Sequence, residues 1–425
     1  MISALLQASS LVLFLSAVAG LGILLKGCYV LRRQARRTSH DFTSILLKSP
    51  QMPMVSVIAA PVDSLPPSRD FVRRLLELHC SRSEVVVVLN GPSEQDFQVW
   101  CDEFRLRSTA RGVWESTDLP QLQVLRTSGA SWEAAYNAGL AISNGPLIAL
   151  LDPESQFVPD ILLRLALPLL ADEETAAVCG TAPQLASNSL IEHFAGIEGL
   201  RLYLARCAAF AGWNMLLPVQ GCCVLLRREA VLRAGGLTSP LELILHLHGL
   251  ARRGGPPFRM ALVAEAVSWI APTASEAGLR RLIQRDQQAL ASMMRRRRHI
   301  AGGLAALGWG LPALLYWRMV RPLLESAVYV LAIVAILTGV APLQVGVLAL
   351  LCTVGAGILV SMSAVVLREL AEYRGTDPAR LAKLFLASIP ENLGYRQMRN
   401  LWLVEGFFRL RRADPAPQPA SSQAG

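Results

Sequence analysis

The stretch AAYNAGLAISNGPLIALLDPES, Ala134 to Ser155, decides the architecture. Trp132 to Ser143 reads as a helix, and Asn144-Gly145 after it marks a turn. Pro146 to Leu151 (PLIALL) is a continuous apolar run of strand length, which breaks off at Asp152-Pro153-Glu154. A helix, a tight turn and then a strand apolar on both faces is the repeating unit of a sheet covered on both sides.

The same pattern extends upstream and downstream. Met54 to Ala60 (MVSVIAA) is a buried strand stopped by Pro61, and Glu84 to Leu89 (EVVVVL) is a second, closed by Asn90-Gly91-Pro92. Gln121 to Leu125 is a short strand, while Phe71 to His79 and Asp160 to Leu170 have helical spacing. The expected fold is therefore α/β, with a parallel sheet. Ligands of such sheets bind at the carboxyl ends of the strands, so the turns after Ala60, Leu89 and Leu151 carry the interest. Asp152 and Glu154 stand two residues apart on the last of these. Paired carboxylates on a loop can hold a divalent cation through oxygen, and the cation can neutralise a diphosphate. The same D-x-E also suits a plain solvated turn.

Farther out the chain turns apolar. Hydrophobic residues reach 52% and mean hydropathy is +0.39, above the soluble norm, yet 17% of residues are charged, so polarity is segregated along the chain. Leu6 to Leu31, broken only by Lys26, is long enough to span a bilayer, and Arg32, Arg33, Arg36 and Arg37 follow at once. A cleaved secretory signal would carry its charge before the apolar run. The order here puts Met1 outside and the next domain in the cytosol. Ser326 to Leu367 is uncharged, too long for one span and right for two, with Gly339, Pro342 and Gly346 to turn the chain. Arg318, Arg321, Arg368 and Arg374 flank it. Gly278 to Met294 and Ala301 to Met319 mix apolar residues with arginines, Trp309 and Trp317, which suits helices lying in the membrane interface. The alternative is a further span over Ile300 to Tyr316. The expected division is 1–37 first span and basic flank, 38–277 cytosolic domain, 278–322 interfacial helices, 323–368 transmembrane hairpin, 369–412 cytosolic tail and 413–425 disordered end, in an inner, plasma-type membrane. The net charge of +9 gathers beside the apolar segments, notably at Arg295 to Arg298. Arginines so placed answer to anionic lipid head groups, and no aromatic-basic interleaving points to nucleic acid. The eight cysteines show no C-x-x-C spacing and so no zinc signal.

Four stretches carry a resemblance to the membrane-bound family 2 glycosyltransferases, the group with the cellulose, hyaluronan and poly-N-acetylglucosamine synthases. They are Val55 to Ile58 with Pro61, Ala134 to Ser155, GCCVLLRREAVLRAGG (Gly221 to Gly236) and ENLGYRQMRNLWLVEG (Glu391 to Gly406). The resemblance implies a Rossmann-like GT-A nucleotide-diphospho-sugar transferase domain with transmembrane helices at both ends. It implies a nucleotide-sugar donor at the strand ends, near Pro61, Asn90, Asp152, Gln284 and Arg285. Mg²⁺ or Mn²⁺ would sit on Asp152 and Glu154. A base would deprotonate the acceptor hydroxyl, on a growing polysaccharide or a lipid-linked acceptor, with inversion at the sugar.

The departures from the family pattern fall on polar positions. Leu89-Asn90 replaces an Asp-Asp or Asn-Asp pair, Glu154 replaces the second Asp of the metal loop, and no lysine or arginine stands near Trp132-Glu133. The base stretch falls on Glu242 and Leu243, with His246 and His248 close by, so Glu242 or His246 is the candidate base. Gln284-Arg285 remains of the last motif, but its tryptophan position reads Gln288. Two readings stay open: an active transferase, or an impaired subunit that supports a second, active glycosyltransferase.

Overall fold

The computed structural model describes residues 2–35, 52–60, 66–110, 112–128, 131–180, 189–218, 223–237, 239–263, 267–270, 275–295, 300–372 and 378–412. Pro61, Arg296 to Arg298 and Arg374 lie outside the described residues.

The chain opens with α1 (Ile2–Ala35) and then runs through β1 (Val55–Ala59), α2 (Arg69–Leu76), β2 (Ser83–Asn90), α3 (Glu94–Phe104), β3 (Leu106–Ala110), β4 (Val113–Ser116) and β5 (Leu122–Thr127). Next come α4 (Trp132–Ile142), β6 (Leu147–Leu150), β7 (Ser155–Phe157), α5 (Ile161–Ala171), β8 (Thr175–Gly180), and α6 (Leu190–Leu202) with a π-helical turn, Tyr203–Ala209. β9 (Cys223–Arg227), α7 (Arg228–Arg233), α8 (Pro240–Arg252), β10 (Arg259–Val263), β11 (Ser268–Ile270) and α9 (Glu276–Arg295) complete the globular part. The C-terminal part is helical: α10 (Gly310–Leu315), a π-helical turn Tyr316–Val320, α11 (Arg321–Thr338), α12 (Leu343–Glu372), α13 (Pro378–Pro390), a π-helical turn Glu391–Tyr395 and α14 (Arg396–Arg412).

Nine strands form one sheet in the order β10-β8-β9-β6-β1-β2-β5-β4-β3. The centre, β6-β1-β2-β5, is parallel, as its doubly apolar runs require. Outside it the expected parallel pairing holds only for β10 with β8. β9 runs antiparallel to both β6 and β8, and β3 and β4 form an antiparallel edge. Alternate residues serve two cores: Val55, Val57 and Ala59 face the α2/α3/α5 side, and Ile58 faces the other. That second core runs on from the sheet into α8 and the inner ends of α1 (Leu24, Cys28, Leu31) and α12 (Ala364, Leu367, Ala371). The globular part is thus packed directly onto the apolar helices.

Three helical runs are long and apolar enough to cross a membrane: Ile2–Gln34, Gly310–Thr338 and Leu343–Ala371. The second starts before Arg318, so the stretch expected as a separate interfacial helix over 301–319 in part continues into this run. Gly339, with φ +65°, ends α11 and turns the chain as expected. Gly346 does not; it lies inside α12, where an added Cβ would come within 2.7 Å of the Ile336 side chain. α9 has its apolar residues Leu279 and Ile283 buried with Phe194, Tyr395 and Trp402 of α6, the third π-helical turn and α14.

Candidate functional site at the strand ends

The parallel strands β1, β2, β5 and β6 end at one edge, and the turn after β6 holds the acidic pair. Asp152 Oδ1 accepts the Glu154 N–H at 2.9 Å, and the Asp152 carbonyl accepts the Ser155 N–H at 3.1 Å. The turn is fixed from α2 as well: Arg74 donates to the carbonyls of Pro153 (3.0 Å) and Ser155 (2.9 Å), with its guanidinium over Phe71 and Phe157. β7 then pairs with β11, tying the far side of the turn down. Nothing local in the sequence marks Arg74, because its partners lie about eighty residues away.

Glu154 is met from α9. Arg285 Nη1 donates to both Glu154 carboxylate oxygens, at 2.8 and 2.9 Å. Two groups that sequence reasoning placed in one site are thus brought together. Gln284, beside Arg285, has its amide nitrogen buried with no hydrogen-bond partner among the described residues. Asn90 ends β2 and accepts from the Thr127 hydroxyl at 3.0 Å, so the tip of β2 is held to β5. Tyr136 on α4 lies beside Asp152. Burial, and then the charge of Asp152, push its phenol up to about 12, so it stays protonated at neutral pH.

Asn137 explains why two of the quoted stretches travel together. Its amide donates to the Leu237 carbonyl (2.9 Å) and its carbonyl accepts the Leu237 N–H (2.7 Å). Gly236 has φ +109°, and a Cβ there would sit 2.3 Å from Asn137 Oδ1. The Asn of the first stretch clamps the Gly-Gly end of the second, just before α8.

α8 carries the base candidates. Glu242 is in its first turn, where its N–H donates to the Ser239 cap at 3.2 Å. Leu243 is buried among core residues. His246 Nδ1 accepts the Ala301 N–H at 3.1 Å, so the lone pair a base would need is already engaged. His248 is buried edge-on against Phe258, and burial holds it down at about 4. Among the described residues no group of three or more His, Cys, Asp or Glu gathers to hold a metal. Asp152 and Glu154 are two carboxylates on one turn, a set suited to a cation that completes its shell with substrate phosphate and water.

Residues 67–232 match the family model described as Glycosyl transferase family 2. Together with the sheet, this match gives the domain as a mixed α/β, GT-A-like fold. No curated protein sequence matches the chain. Among solved structures, the chain is similar to the mannosyltransferase PcManGT from Pyrobaculum calidifontis in complex with GDP-Man and Mn²⁺. Identity is 17%, coverage is 93% of this chain and 99% of that one, and the TM-score is 0.49. It is also similar to glucosyl-3-phosphoglycerate synthase from Mycobacterium tuberculosis in complex with Mg²⁺ and uridine-diphosphate. There identity is 14%, coverage is 60% of this chain and 83% of that one, and the TM-score is 0.34.

Proposed function

We propose that this chain is a membrane-bound inverting glycosyltransferase, moving a sugar from a nucleotide-sugar donor to a growing polysaccharide or lipid-linked acceptor. The observation that carries the reading is the Asp152/Glu154 turn at the end of β6, pinned by Arg74 and faced by Arg285. Asp152 and Glu154 would hold Mg²⁺ or Mn²⁺, which supplies positive charge for the departing diphosphate. Arg285 adds a fixed guanidinium at the same place, where it stabilises the charge that develops on the leaving group. The buried Gln284 amide is a donor for the diphosphate or the sugar, and Asn90 flanks the nucleotide. Glu242 takes the proton of the acceptor hydroxyl; with its lone pair already used, His246 becomes the lesser candidate. The domain faces the cytosol from a multi-pass inner-membrane protein.

One observation favours a second reading: the family's base position is a buried leucine, Leu243. On that reading the chain is an impaired transferase that supports a second, active one.

Asp152→Ala is expected to abolish both Mn²⁺-dependent nucleotide binding and transfer. Glu242→Gln is expected to cut transfer while leaving nucleotide binding nearly intact, because a base acts only in the transition state. Transfer that survives Asp152→Ala sinks the proposed metal site. A wild-type chain that transfers nothing and co-purifies with a second glycosyltransferase moves the assignment to the impaired subunit.

A further inference from the structure

A cavity of about 150 Å³ opens where α1, α6, the Tyr316–Val320 turn, α11 and α14 meet. That is about the size of a hole that accepts benzene. Its lining is divided. One wall carries six arginines, Arg201, Arg206, Arg318, Arg321, Arg396 and Arg399, with Glu198 and Glu325. The other is apolar, with Gly20, Ile23 and Leu24 of α1, Leu314, Trp317 and Val360. Gly20 makes the approach of Trp317 possible, since a Cβ there would lie 2.7 Å from the indole.

The arginines are not fully neutralised by the acids around them. Arg396 and Arg321 pair with Glu325 (2.5 and 3.0 Å), and Arg399 and Arg318 with Glu198 (3.0 and 3.7 Å). Asp286 pairs with Arg206 and Arg318, and Glu391 with Arg201. Six guanidinium groups against these four carboxylates leave two positive charges in excess. Arg206 Nε and Arg399 Nε are buried and make no hydrogen bond among the described residues. Buried donors of this kind call for an acceptor.

We propose that the cavity binds the phosphate or diphosphate head group of a membrane lipid, with the lipid chain against the apolar wall of α1. Guanidinium forks match phosphate geometry, and basic pockets between spanning helices on the cytoplasmic side suit anionic head groups. An amphiphile satisfies both walls, whereas a free nucleotide-sugar leaves the apolar one unmatched. The cavity is tied to the strand-end site by α9: Arg285 holds Glu154 there, and the next residue, Asp286, holds Arg206 and Arg318 here. The lipid phosphate deepens the proposed function by naming the carrier of the lipid-linked acceptor, whose sugar hydroxyl Glu242 deprotonates, and it rests on that reading.

The test titrates the full chain in phosphatidylcholine nanodiscs with farnesyl phosphate, farnesol and inorganic phosphate, reading bound ligand by native mass spectrometry. Farnesyl phosphate is expected to bind at least about tenfold more tightly than either control, the scale of one charge-assisted contact. Arg206→Gln and Arg399→Gln are each expected to weaken it by about tenfold or more. Ile23→Trp, which fills the cavity without touching a charge, is expected to abolish binding. Equal binding of farnesol overturns the head-group site, and equal binding of inorganic phosphate overturns the lipid assignment. Unchanged affinity in all three variants overturns the location. The same preparations are titrated with UDP and GDP plus Mn²⁺. Nucleotide binding retained by the variants shows that they fold. A wild-type chain that binds farnesyl phosphate but neither nucleotide keeps this site and discards the donor reading.

Discussion

Single residues show how burial rather than sequence neighbourhood sets chemistry. His246 and His248 are two positions apart on one helix, yet one accepts a backbone N–H and the other is shut into the core. Burial holds His248 at about 4, against an ordinary value of 6.5. Above pH 6.5 the ring is neutral in both folded and unfolded chains and costs nothing. Between pH 6.5 and 4 only the unfolded chain takes up the proton, so stability falls as pH falls, by about 3 kcal/mol over the whole interval. The melting temperature of the wild type should therefore drop steeply from pH 6.5 to 4, and His248→Leu should flatten that slope. A slope unchanged by the substitution places the lost protons elsewhere. In the sequence His248 stands out only as a neighbour of the candidate base His246, because burial cannot be read from one residue. The Asp152 and Glu154 turn was legible, since a strand of six apolar residues ends there. Arg74 was not, because its partners are Pro153 and Ser155, far along the chain.

At the level of elements, the apolar strands MVSVIAA, EVVVVL and PLIALL announced themselves by continuous runs. β9 does not: its CVLLR lies inside the Gly221 to Gly236 stretch, and its antiparallel direction depends on a long path through α6 that no local pattern encodes. The helices of the C-terminal part are joined by charge. Glu325, within α11, is buried and accepts from Arg396 and Asn400 of α14. This gives the Glu391 to Gly406 stretch a physical role, because a carboxylate at that depth needs fixed partners. Asp286 does the same from α9. Burial alone would raise its carboxyl, but Arg318 and Arg206 hold it well below the usual carboxylate range. Asp286→Asn removes the shared anion and leaves two buried guanidinium groups facing each other. The expected loss is about 3–5 kcal/mol, seen as a lower unfolding midpoint in detergent. A midpoint within error of the wild type means that the arginines find other partners.

For the whole molecule, the sheet and the ends of the apolar helices share one core, so the globular part is held directly against those helix ends. α1 is 34 residues long, about 50 Å at helical rise, and exceeds the hydrocarbon thickness. Its basic end, with Arg32 and Arg33, reaches the domain. The arginine placement predicts that this side is the cytosol. A cysteine at exposed Val340, in the short link between α11 and α12, should then react with an impermeant maleimide in intact cells. One at exposed Glu173, in the globular domain, should react only after lysis. The reverse pattern inverts the orientation.

Arg285 and Asp286 are consecutive residues of a rigid helix, separated by about 100° around its axis. One reads the carboxylate turn and the other the arginine cavity. A shift of α9 that favoured the proposed donor would therefore also move Asp286 against the arginines of the proposed lipid site. Were both sites filled, reciprocity would require that the factor by which the lipid changes donor affinity equal the factor by which the donor changes lipid affinity. Such a helix would act as a balance beam between the two proposed ligands.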